Sequence, residues 1–66
     1  MSKFYELPKY SLVKLSEEDG RIFHFYEVNK GEAMCKYNNS YLYFKATDDV
    51  IAIGRFSDYS AYSEAA

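Results

Sequence analysis

Residues 21–45, RIFHFYEVNKGEAMCKYNNSYLYFK, contain three runs rich in β-branched and aromatic residues, separated by Asn29-Lys30-Gly31 and by Asn38-Asn39. Runs of this length, cut by Gly and Asn, read as short antiparallel strands joined by tight hairpins. A helix would need apolar residues on a 3.6-residue period, and this stretch alternates with a period of two instead.

The two breaks can be tested against each other. Asn29-Lys30-Gly31 fits a three-residue loop with Gly in the left-handed position, which sets Phe25 opposite Cys35 and Phe23 opposite Tyr37. Asn38-Asn39 suits a two-residue type I′ turn because Asn tolerates positive φ. That turn sets Cys35 opposite Leu42 and Ala33 opposite Phe44. A slip of one residue would turn every side chain over, so two independent turns agreeing on one apolar face argue strongly for the register.

Working outward, Glu18-Asp19-Gly20 has the form of another hairpin loop with a left-handed Gly, pairing Leu15 with Phe23 and Val13 with Phe25. Thr47-Asp48-Asp49 continues the meander and sets Phe44 opposite Ala52. The expected strands are 11–16, 21–28, 33–37, 40–46 and 50–56. Their shared core face carries Val13, Leu15, Phe23, Phe25, Ala33, Cys35, Tyr37, Leu42, Phe44, Val50, Ala52 and Phe56. The expected fold is mainly β: a five-stranded antiparallel meander over 10–56, curled into a small SH3- or OB-sized barrel or sheet. An extended N-terminal arm over 1–9 precedes it. The tail 57–66 follows as an irregular end or a short C-terminal helix capped by Ser57 or Ser60.

A chain of 66 residues suits one domain with a marginal core. Such scaffolds draw on disulfides, a metal, association or dense packing. Cys35 is the only cysteine and His24 the only histidine, which excludes an internal disulfide and a Cys/His zinc site. Eight Tyr and five Phe place the chain far from disorder. A formal charge of −2 supplies no basic excess for nonspecific nucleic-acid binding. The longest apolar run, 50–53, is too short for a signal peptide or a membrane span. The reading is therefore a cytoplasmic chain (host cytoplasm, if a virus encodes it) with no membrane partner.

The opposite face of the expected sheet carries Leu12, Lys14, Ile22, His24, Tyr26, Val28, Met34, Lys36, Tyr41, Tyr43, Lys45, Ile51, Ile53 and Arg55. A solvated strand face is mostly polar, and this one mixes aromatic and aliphatic groups with cations. Either the termini fold over it, with Phe4-Tyr5-Glu6-Leu7 as one cover, or it is an interface. The candidate partner-binding residues are Tyr26, Tyr41, Tyr43, Lys14, Lys36, Lys45, Arg55, Met34 and His24. Tyr, Met and Arg are the residue types enriched in binding surfaces.

Catalysis finds little support. Cys35 and His24 fall on opposite faces, so they cannot form a nucleophile and base pair. The carboxylates of Glu17, Glu18 and Asp19 and of Asp48 and Asp49 sit at turn tips, where no pocket raises a pKa. No cofactor motif is present. The sequence thus points to a non-enzymatic protein-binding module, an inhibitor or regulator of the small kind that viruses and phages encode to occlude a larger enzyme. Self-association as a homodimer fits the undersized core. The rival reading is single-stranded nucleic-acid binding, with Tyr26, Tyr41 and Tyr43 stacking bases beside Lys14, Lys36, Lys45 and Arg55.

Overall fold

The computed structural model describes residues 1–57. Its elements are β1 (Ser2–Lys3), a 3-10 turn (Phe4–Glu6), β2 (Ser11–Lys14), β3 (Phe23–Asn29), β4 (Glu32–Tyr37), β5 (Ser40–Lys45) and β6 (Asp49–Arg55). They form one antiparallel sheet of six strands in the order β1-β6-β2-β3-β4-β5. Besides the 3-10 turn, the described residues Phe56 and Ser57 are helical. The helix considered for 57–66 lies, Ser57 apart, outside the described residues.

The hairpin pair at the centre follows the alternation of its sequence. Asn38 and Asn39 take φ of 53° and 67°, the signature of a type I′ turn, and Tyr37 pairs with Ser40, Cys35 with Leu42 and Ala33 with Phe44. The preceding turn is tighter than expected. Lys30 and Gly31 take φ of 53° and 80° and form a two-residue turn that pairs Asn29 with Glu32. One extra residue in β3, between Phe25 and Glu27, absorbs the difference, so that Phe25 still faces Cys35. Past this bulge the faces exchange. Val28, expected on the second face, pairs with Ala33 and packs on the core.

Three further expectations are corrected. The loop before β3 is not a short hairpin: Val13 pairs with Phe23, two residues from the expected register, and Gly20 takes no left-handed φ. A shift of two keeps each side chain on its face, which is why Val13, Phe23 and Phe25 are still buried. The loop is organised by Asp19 and Arg21 instead. The Arg21 guanidinium donates from Nη2 to Asp19 at 2.8 Å and holds that carboxyl down to about 2, while it lies 5.2 Å from the Phe23 ring centroid.

Second, β6 does not pair with β5. Asp48 turns the chain away: its backbone N–H donates to Lys45 O at 2.9 Å and its carboxylate accepts from Lys45 N–H at 3.2 Å. β6 then crosses to the open edge of β2, where Ala52 meets Val13 rather than Phe44. The sheet is accordingly six strands without barrel closure, not a five-stranded barrel in sequence order.

Third, Phe4-Tyr5-Glu6-Leu7 packs on the core rather than covering the second face. β1 pairs with β6, and the 3-10 turn drives Phe4 into the core, fully buried, with its ring stacked on Phe44 at 5.5 Å and tilted against Phe25 at 5.5 Å. Tyr5 N–H donates to Ala46 O at 3.2 Å. The sheet curls enough for its two ends to approach through Phe4, without a ladder between β1 and β5. Phe4, Val13, Phe23, Phe25, Ala33, Cys35 and Val50 make the core.

A candidate interaction face on strands β2 to β5

Leu12 pairs with His24, His24 with Lys36 and Lys36 with Tyr41, so one row of the second face runs across four strands. One step along, Met34 pairs with Tyr43 and with Glu27. The alternation of β4 and β5 puts these side chains on the surface away from Phe25 and Cys35. Tyr41 and Tyr43 are 55% and 59% exposed. Lys36 Nζ stands 5.4 Å from the Tyr41 ring centroid, a cation–π contact at the surface.

Tyr26, at the bulge, is half-buried and is the hub of this face. Its ring meets Tyr10 edge-on at 6.2 Å, Phe56 edge-on at 5.4 Å and Tyr41 at 6.2 Å. Phe56 also packs edge-on against His24 at 4.9 Å. Strand alternation predicts Phe56 on the core face and Arg55 on this one. A bulge in the pairing of β2 with β6 leaves Ile53 as the extra residue and exchanges them. Arg55 pairs with Ser11, whose neighbour across the sheet is the core residue Phe25, and its guanidinium donates to Lys9 O at 2.9 Å.

The structure therefore gathers His24, Tyr26, Met34, Lys36, Tyr41 and Tyr43 from the expected set, keeps Lys45 at the end of the same face, and separates Lys14 and Arg55. Lys14 lies toward the other end of β2, opposite Ile51, with Nζ donating to Glu17 O at 3.2 Å. Lys45 ends β5 and pairs with Glu32. Tyr10 and Phe56 belong to the face and were not in the set. Tyr10 was legible, since it continues the even-numbered series of Leu12 and Lys14. Phe56 was not, because its placement depends on the bulge.

The charge of the face is mixed. Glu27 and Glu32 stand beside Met34 and Tyr43, lining a cleft of about 140 Å³ with Asn29. Lys9 approaches Glu27 at 3.4 Å. A second cleft of about 300 Å³ is lined by His24, Tyr26, Lys36, Asn38 and Asn39. There, burial first and the Lys36 charge second lower the His24 pKa, so the imidazole is neutral at pH 7. Cys35 lies on the other side of the sheet, and burial pushes its thiol up to about 12. Among the described residues no three His, Cys, Asp or Glu side chains gather as metal ligands do. Nor is any helix among them long and apolar enough to cross a membrane. No family model, curated protein or solved structure matches the chain.

Proposed function

We propose that the chain is a protein-binding module that presents the Tyr10, Tyr26, Tyr41 and Tyr43 face to a larger protein, acting as a regulator or inhibitor by occlusion rather than by turnover. The observation that carries this reading is the exposure of Tyr41 and Tyr43 on the unbroken ladder of β4 and β5. Large amphipathic rings held in place lose little conformational entropy on binding and dominate protein interfaces. The carboxylates of Glu27 and Glu32 among them suit a protein surface of mixed charge and oppose a phosphate backbone. A single-stranded nucleic acid is the second reading, favoured by Lys36 over Tyr41 and by Lys45 at the end of the same strand face.

A photo-crosslinking residue at Tyr43, with one at the exposed turn residue Lys30 as control, tests the proposal in cells that make the protein. The expected result is one discrete adduct with a protein other than the chain itself, heavier than two 7.7 kDa copies and specific to position 43, suppressed by excess wild-type chain and not by a Tyr41→Ala/Tyr43→Ala double variant. Adducts equal at both positions would overturn it. So would binding of a labelled oligothymidine that weakens steeply with salt, the mark of counterion release from phosphates.

A further inference from the structure

β5 is one edge of the sheet, and among the described residues no strand pairs with its outer side. Which of its backbone groups face outward follows from the register. A two-residue hairpin makes its flanking residues, Tyr37 and Ser40, a hydrogen-bonded pair, so Ser40, Leu42 and Phe44 direct N–H and C=O to β4. Ala46 keeps that alternation, donating its N–H to Gly31 O at 2.9 Å. Tyr41, Tyr43 and Lys45 therefore point their backbone groups outward. The two groups of Lys45 are taken by Asp48. Two N–H and two C=O groups remain, on Tyr41 and Tyr43.

Edges of this kind are usually blunted by proline, a bulge, an inward charge or brevity. β1, the opposite edge, is two residues long. β5 has none of these devices: it runs six residues against β4 without a register shift, and Lys45 is its only charge.

We propose that β5 pairs antiparallel with β5 of a second copy of the chain about a two-fold axis at Leu42. The capping of Lys45 by Asp48 selects this register. Tyr41 of each copy then meets Tyr43 of the other, exchanging all four outward groups. On the same face the tyrosines form a continuous ladder; on the opposite face Leu42, 36% exposed in the single chain, meets its own symmetry mate. Ser40 meets Phe44, small against large. Lys45 falls opposite Asn39, so no like charges oppose each other. Self-complementarity at each pair is what a two-fold interface requires and an unrelated strand would not supply. The partner-binding proposal does not depend on this pairing, and the two fail in different experiments.

Cysteine scanning tests it. In this register Leu42 and its mate form a non-hydrogen-bonded pair with Cα atoms roughly 4.5 Å apart, within disulfide reach, whereas residue 43 and its mate are roughly 8 Å apart. Because Cys35 faces residue 42 in the same chain, both variants carry Cys35→Ala: Leu42→Cys should then give a disulfide-linked dimer under mild oxidation and Tyr43→Cys none. Light scattering on the unmodified protein should give twice the 7.7 kDa chain mass at high concentration, falling on dilution. Leu42→Lys should be monomeric with an unchanged circular dichroism spectrum, and mixing it with Leu42→Glu should restore the dimer. A monomeric wild-type chain at every concentration, or crosslinking through residue 43 in preference to residue 42, would overturn the proposal.

Discussion

Phe4 should be among the most costly side chains to remove. It is fully buried, stacked on Phe44 and tilted against Phe25, and it closes the core between the two ends of the sheet. A buried aromatic side chain removes about 150–250 Å² from water. At about 25 cal/mol per Å², that burial contributes about 4–6 kcal/mol. Measured Phe→Ala changes in cores cost about 3–5 kcal/mol. A domain of this size has a total stability of only about 3–10 kcal/mol. Phe4→Ala should therefore remove from about a third to all of the stability and lower the thermal midpoint by roughly 12–40 °C. Phe4→Leu keeps most of the volume and loses the ring contacts, at a cost of about 1–1.5 kcal/mol. At about 4–8 °C per kcal/mol, its thermal midpoint should fall by roughly 5–10 °C. The assay is thermal and urea unfolding followed by far-UV circular dichroism and tyrosine fluorescence, which is clean because the chain has no Trp. A Phe4→Ala protein melting within about 3 °C of wild type would refute the reasoning, for it would mean that the N-terminal segment contributes nothing to the core.

Gly31→Ala should lower stability by about 1–2 kcal/mol in a urea titration, because the position holds φ of 80° and the added methyl meets nothing within 4 Å, leaving the backbone as the sole cause. Cys35 should stay unreactive toward a thiol reagent at pH 8 in the folded protein and react at once in denaturant, as its thiol is raised to about 12 by burial. His24 has a folded pKa below its ordinary 6.5, so the unfolded chain binds the proton more tightly; stability should decline as pH drops below 6.5, and Lys36→Met should raise the imidazole titration seen by NMR. Asp19 is held at about 2 by the Arg21 side chain and backbone N–H, so its contribution should be fully present above 3.8 and disappear as pH falls toward 2, a loss that Arg21→Gln should shrink without abolishing, because the backbone hydrogen bond stays.

The partition of the face between readable and unreadable parts is sharp. Tyr41, Tyr43, Lys36, Met34 and His24 were placed together by alternation alone, since Asn38-Asn39 fixes one turn and period two does the rest. Alternation puts Arg55 and Phe56 on each other's faces because one extra residue, Ile53, enters the ladder between β2 and β6; Gly54 beside it marks a bulge in the local sequence without fixing which residue is the extra one. The acidic members Glu27 and Glu32 changed the electrostatics of the face. Glu27 reached it only through the bulge at Tyr26, so the sequence reading overstated its basic character.

By itself the sequence determined the β class, the two central hairpins and the burial of Phe23, Phe25, Ala33 and Cys35, because these rest on turn chemistry and side-chain period, both local. The tertiary structure alone decided where β6 goes, where Phe4 goes and which side of each bulge faces the core. Those choices compare distant edges of one sheet. β2 offered an open ladder to β6 and the core offered a cavity to Phe4, and the free energy of filling both belongs to no single segment of the chain.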